Sequence, residues 1–203
     1  MNLNISYFEN FYFFTTSLTE ENKKNIAKFK NLAVIYQKQK GGINLIELNK
    51  IIKFCKKRSI KIYIEDDIKI AKKLNLDGVL ISNNNKIISL YANHDNKKKF
   101  KIIGKAHNQL EYFFKNKQNC KNILLSPIFK NKKYNDNKIL NIVKFNLISK
   151  NWKTYVFALG GVNSNNFKKI GMTSCKGIGF VSFINDLKIK KPVHFLKWYG
   201  LLL

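Results

Sequence analysis

Two glycine-bearing stretches near the carboxyl end of the chain have the residue types and spacing to hold an anion. Ala158-Leu159-Gly160-Gly161-Val162-Asn163 closes one apolar run, and Gly177-Ile178-Gly179-Phe180-Val181-Ser182 forms the next. Paired glycines let backbone amides approach a ligand closely. Asn163 is placed to cap a following helix whose N-terminus adds partial positive charge. The chemistry this suits is the binding of a phosphate group; the plainer alternative is that Gly160 and Gly161 merely permit a tight turn.

Such a corner works only if the elements around it aim it. Short β-rich apolar runs alternate along the chain with amphipathic, lysine-bearing segments, the pattern of βα units around a parallel sheet. Strands are expected at 11–15, 32–38, 61–65, 78–81, 101–106, 122–126, 155–159 and 177–182. Helices are expected at 20–29, 44–57, 68–74, 109–117, 138–149 and 165–170. The asparagine-rich connection at 83–96 is the weakest helix. Eight units without a glycine-rich turn after the first strand favour closure into a (β/α)8 TIM barrel over an open doubly wound sheet. The barrel is expected to be one compact domain spanning 1–203, with its chemistry where strands end and βα loops begin.

Composition narrows the partners. The formal net charge is +26, yet of 38 basic residues only Arg58 is arginine, and the lysines are scattered along the chain among abundant Asn and Ile. That pattern fits a genome biased toward A and T codons. Near absence of arginine argues against specific nucleic-acid reading, since arginine is the preferred fork for phosphate and guanine. Cys55, Cys120 and Cys175 are far apart and in no metal-ligand spacing, which fits a reducing, cytoplasmic interior. No targeting signal is read at the start, no stretch reaches the ~18 apolar residues of a membrane span, and the apolar end, 194–203, is expected to be a closing helix on the barrel. Small phosphorylated molecules are the expected partners, and an oligomer is neither favoured nor opposed.

Five ordered stretches resemble the thiamine phosphate synthase and thiazole tautomerase superfamily. Ala158 to Asn163 is similar to its "A-I-G-G-I-N" loop, Gly177 to Ser182 to its "G-V-A-V-V-S" strand, and Leu125-Ser126-Pro127-Ile128-Phe129 to its "G-P-I-F" corner. Leu76-Asp77-Gly78-Val79 is similar to "A-D-G-V", and Ile64-Glu65-Asp66 stands where the family has "I-N-D". The resemblance implies a transferase that joins hydroxymethylpyrimidine diphosphate to a thiazole phosphate, releasing diphosphate with the help of magnesium. Such a site must stabilise a departing polyanion.

The resemblance also implies residue roles. Tyr36-Gln37-Lys38-Gln39-Lys40 stands where the family carries "Q-L-R-E-K"; Lys38 and Lys40, two apart on a strand, would share a side and hold the diphosphate. Asp66 matches the magnesium-binding aspartate, with a helix cap as its alternative, a task Asp67 could equally perform; Glu65 takes the place of a pyrimidine-contacting asparagine. The second metal aspartate falls at Asn85, and the family's preceding histidine is Leu80. Gly104-Lys105-Ala106-His107-Asn108 resembles the "G-x-S-x-H-[ST]" corner with one residue missing, leaving His107 as a substrate-binding candidate or a structural histidine. Lys133 or Lys132 stands in for the lysine of the next loop, and Gly160, Gly161, Val181 and Ser182 form the phosphate corner. Two other readings stand beside the synthase: a thiazole tautomerase-like isomerase that needs no magnesium, and a noncatalytic barrel that binds a phosphorylated ligand.

Overall fold

The computed structural model describes residues 10–27, 29, 31–39, 41–89, 100–130 and 138–181. Eight parallel strands close into a barrel in sequence order: β1 (Asn10–Thr15), β2 (Leu32–Tyr36), β3 (Lys61–Glu65), β4 (Gly78–Ile81), β5 (Lys101–Ala106), β6 (Asn122–Leu125), β7 (Tyr155–Leu159) and β8 (Gly177–Phe180). β8 returns to β1 through the register Phe13↔Phe180, so no strand edge is left open. Between strands run α1 (Glu20–Ile26), α2 (Leu45–Lys57), α3 (Ile68–Lys73), α4 (Gln109–Lys117) and α5 (Asn141–Ser149), followed by a 3-10 helix at Phe167–Met172.

The apolar residues sort by a period of two into two cores. Tyr12, Phe14, Ala33, Ile35, Tyr63, Leu80, Ile103, Leu124, Phe157 and Leu159 fill the barrel lumen. Their neighbours on the same strands, such as Phe13, Val34, Ile64, Val79, Ile123 and Ala158, face the helices. The lumen is aromatic: the Tyr12 ring meets Phe157 edge-on at 5.0 Å and Tyr63 at 6.2 Å. Gly179 leaves room there, because a β-carbon on it would sit 3.0 Å from both Leu124 and Leu159.

Local chemistry sets where the helices start and stop. Thr19, Asn44, Asp67 and Asn108 each accept a backbone N–H of the first turn of α1, α2, α3 and α4, respectively. At the other end, Ser59, Asn75 and Asn119 adopt positive φ after α2, α3 and α4. The amides that follow fold back, as in Ile60 N to Cys55 O at 2.9 Å and Cys120 N to Lys115 O at 3.0 Å. This is the Schellman geometry usually closed by glycine; in this asparagine-rich chain Asn75 and Asn119 serve, since a short amide side chain tolerates the left-handed region.

Several expected elements differ from the structure: the helices expected at 20–29 and 138–149 span Glu20–Ile26 and Asn141–Ser149, and the strand expected at 177–182 ends at Phe180. β2 ends at Tyr36, so Lys38 lies beyond the strand and Gln39 instead pairs with Gly42 across a tight turn; Gly41 and Gly42 break the run that made 32–38 read as one strand. The helix expected at 165–170 is a six-residue 3-10 helix, as glycine, asparagine and β-branched neighbours disfavour a longer α-helix. The connection at 83–96 turns without helix through residue 88, and its remainder lies largely outside the described residues. The closing helix expected at 194–203 lies outside them entirely. Among the described residues no helix is long and apolar enough to cross a membrane.

Candidate active site at the carboxyl-terminal rim

The glycine corner is built by backbone on backbone. Gly160 and Gly161 have φ of 91° and 73°, a region that side chains disfavour. A β-carbon on Gly161 would lie 2.3 Å from the Phe129 carbonyl oxygen. The loop after β6 is tied to the end of β7 by Ile128 N–H to Leu159 O at 3.0 Å and Phe129 N–H to Gly160 O at 3.1 Å. Asn166 Nδ2 then fixes the Gly161 carbonyl at 2.8 Å, which turns that peptide's oxygen away toward the 3-10 segment. Asn163 caps no helix; its Oδ1 accepts the Asn165 and Asn166 amides at 2.9 and 3.2 Å in a local turn. The corner therefore owes its shape to the glycines and the β6 loop rather than to a helix dipole. Val181, 58% exposed just past β8, opens beside it, and Ser182 lies outside the described residues.

On the rim above β2, β3 and β4, Asp66 follows β3 with φ of 52°. Aspartate is among the few residues that enter this region readily, and here the ladder holds it there: its N–H donates to Leu80 O at 2.8 Å. Asp66 Oδ1 accepts Ser82 N–H at 2.9 Å and Asn85 Nδ2 at 3.0 Å. Lys38 Nζ reaches the Asp66 carbonyl at 3.3 Å and stands 3.8 Å from Asp67 Oδ2. The cap of α3 is Asp67, whose Oδ1 accepts Ile70 N–H at 2.9 Å, so Asp66 is released from that duty. The structure thus brings Lys38, Asp66 and Asn85 together. Lys40 and Lys133 lie outside the described residues.

Asn85 is oriented from three sides. Its Oδ1 accepts the Ile87 N–H at 3.1 Å, which leaves Nδ2 to face Asp66. Its carbonyl accepts Lys115 Nζ at 2.6 Å and Gln118 Nε2 at 2.9 Å. Lys115 is fully buried, and burial pushes its ammonium below the ordinary lysine value. This residue was hidden among many lysines; the signal that marks it is its place with Tyr112 on the buried stripe of α4, where a charge is out of keeping.

Glu65 ends β3 in the register of Tyr63, and Lys105 lies on β5 in the register of Ile103; both face the barrel mouth and are half-buried. Ser126 Oγ, at the end of β6 on the same side as Leu124, is buried without a hydrogen-bond partner among the described residues. His107 donates from Nδ1 to Glu111 Oε2 at 2.9 Å, while its backbone N–H reaches the same oxygen at 2.8 Å. Burial pushes the Glu111 carboxyl up, but the His107 hydrogen bonds and charge outweigh it and the net is below the ordinary glutamate value. Tyr36 takes no part in the mouth: it is buried beneath α2, where its hydroxyl accepts the Asn44 N–H at 3.0 Å.

The metal expectation can be tested on the donor set. Asp66 Oδ1 has two donors, while Oδ2 has no hydrogen-bond partner among the described residues. Magnesium is commonly held by one or two carboxylates together with substrate phosphates and water, and Asp66 fits that minimum. Among the described residues no three His, Cys, Asp or Glu side chains gather to hold an ion alone.

Fold and rim define a (β/α)8 barrel with its candidate chemistry at the carboxyl ends of the strands. The family model described as Thiamine monophosphate synthase matches residues 26–184. The chain belongs to the thiamine monophosphate synthase family, and hence to the transferases of thiamine biosynthesis. It is 25% identical over 153 residues to a thiamine-phosphate synthase of Staphylococcus haemolyticus, covering 73% of this chain and 71% of that one. It is 26% identical over 173 residues to a thiamine-phosphate synthase of Clostridium acetobutylicum, covering 77% and 81%. Its backbone is similar to that of a thiamine phosphate pyrophosphorylase from Pyrococcus furiosus, with a TM-score of 0.70, 16% identity and 91% of each chain covered.

Proposed function

We propose that this chain is a thiamine phosphate synthase that joins hydroxymethylpyrimidine diphosphate to thiazole phosphate with release of diphosphate, acting as one domain over 1–203 in the cytoplasm. The reading is supported by two features on one rim of a closed barrel, each suited to an anion. One is the glycine corner at Gly160 and Gly161; the other is Lys38 beside Asp66. A reaction between a phosphate and a diphosphate ester needs two such stations facing a common mouth.

In this reading the thiazole phosphate sits on the backbone of Gly160 and Gly161, with Val181 and Ser182 as further candidate contacts. The corner is rigid because the β6 loop presses on it, so phosphate binding costs little reorganisation. Lys38, with Lys40 and Lys133 as further candidates, supplies positive charge to the departing diphosphate. Magnesium, held by Asp66 with Asn85 next to it, would add charge neutralisation to the same leaving group. Glu65 faces the mouth where a pyrimidine amine would donate a hydrogen bond.

The test is formation of thiamine phosphate by the purified protein with and without magnesium. Asp66→Ala should remove nearly all turnover while thiazole phosphate still binds; unchanged turnover would refute the metal assignment. A second reading, a tautomerase-like isomerase, is favoured by His107, which Glu111 orients as an acid–base group. It predicts no thiamine phosphate and a magnesium-independent isomerisation that His107→Ala abolishes. Binding of thiazole phosphate without either reaction would identify a noncatalytic barrel.

A further inference from the structure

In a chain with lysines spread over its whole surface, Lys115 is wholly buried. An ammonium group taken out of water is costly unless its hydrogens are satisfied. Here it meets carbonyl oxygens: Asn85 O at 2.6 Å and Gln118 Oε1 at 3.0 Å. Gln118, also buried, sends Nε2 to Asn85 O at 2.9 Å and Ile87 O at 3.0 Å. Two side chains of one helix segment thus gather the carbonyls of the loop that follows β4.

The consequence reaches the rim. With its carbonyl fixed from below and its Oδ1 engaged by Ile87 N–H, Asn85 can only present Nδ2 to Asp66. Donors then run in one direction, from Lys115 to Asn85 and from Asn85 to Asp66. Asp66 Oδ1 is filled by Asn85 Nδ2 and Ser82 N–H, and Oδ2 is left without a hydrogen-bond partner among the described residues.

We propose that Lys115 is the positioning residue of the diphosphate half of the site: it locks the loop after β4 so that Asn85 acts as a donor to Asp66 and Asp66 offers the metal a single oxygen. The proposal rests on the synthase reading above. One carboxylate oxygen is a poor ligand set on its own, so a divalent ion joins this protein together with diphosphate and only weakly without it. Groups that hold a metal ligand's position are worth about 10- to 100-fold in metal affinity.

The experiment measures Mn2+ uptake by the full chain, with and without inorganic diphosphate, in wild type, Lys115→Met and Gln118→Met. Hydrogen exchange over 82–88 and affinity for thiazole phosphate are measured alongside. In wild type, Mn2+ binds with diphosphate and much more weakly alone. Lys115→Met should weaken the Mn2+–diphosphate affinity by about tenfold, speed exchange of the Ser82 and Ile87 amides, and leave thiazole phosphate affinity unchanged. Gln118→Met should shift all three readouts in the same sense by less, and it carries the test if Lys115→Met does not fold. Equal Mn2+–diphosphate affinity in wild type and variants overturns the proposal, whatever the loop exchange does. Wild type that takes up no Mn2+ with diphosphate overturns the synthase reading itself, a result distinct from equal binding by all three proteins.

Discussion

Replacing Gly161 with alanine puts the phosphate corner to a quantitative test. The residue sits at φ of 73°, where an added β-carbon costs about 1 kcal/mol. That carbon would lie 2.3 Å from the Phe129 carbonyl oxygen, whereas ordinary contact begins near 3.4 Å. The β6 loop must therefore retreat by about 1 Å, against neighbours packed at crystal-like density. Forcing atoms into such a place costs about 1–3 kcal/mol, and the retreat strains the Phe129 N–H to Gly160 O bond. The expected loss is about 3 kcal/mol, or a fall in Tm of roughly 6–12 °C for a domain of this size. Because the same movement tilts the amides at Gly160 and Gly161, thiazole phosphate affinity should fall by about tenfold or more. Gly171→Ala is the control: its β-carbon would meet nothing within 4 Å, so stability should move by less than about 0.5 kcal/mol. Urea denaturation and calorimetric titration of thiazole phosphate read both quantities. Gly161→Ala that matches Gly171→Ala in midpoint and affinity would refute the cradle.

Three further outcomes are expected. Asn44→Ala removes the acceptor for the Ile46 and Glu47 amides at the start of α2, so it should cost about 1 kcal/mol in urea denaturation while thiazole phosphate still binds; an unshifted midpoint would contradict the capping role. Glu111 is held below its unfolded value of 4.5, so its contribution is complete above that pH and is lost as the pH falls through the folded value. Glu111→Gln should flatten the decline of stability between about pH 3 and 6, and parallel curves would dismiss the His107–Glu111 pair. Burial pushes the Cys55 and Cys120 thiols up to about 12 and raises Cys175 as well, so a thiol reagent at neutral pH should label all three only after unfolding. Rapid labelling of the native protein would contradict that burial.

Much of the barrel could be read from periodicity. The strands Lys61–Glu65, Gly78–Ile81, Lys101–Ala106 and Tyr155–Leu159 and the helix Gln109–Lys117 stand where the apolar pattern predicts them. The misses have identifiable causes. Lys38 falls beyond β2, which ends at Tyr36, because the chain there leads into the turn that Gln39 and Gly42 close, and no residue between Tyr36 and Gln39 announces that end. Asp66 could not be distinguished from Asp67 as a cap, since both precede α3; the positive φ of Asp66, a tertiary property, separates them. Asn85 read as a weakened ligand, but its direction is set by Lys115 and Gln118, some thirty residues away and invisible to local spacing. Lysine content that carries no message on the surface concealed Lys115, which carries one in the interior.

The contact between Gly161 and the Phe129 carbonyl has a consequence for how such a chain can change. A cradle made of main-chain amides has no codon of its own; only the absence of a side chain at one or two positions must be kept. The Lys38, Asp66 and Asn85 side of the same rim speaks through side chains, and each of these can drift toward the lysine and asparagine that this composition favours. Information written in backbone shape is thereby sheltered from a bias acting on residue identity, so the two ends of one active site can age at different rates within a single fold.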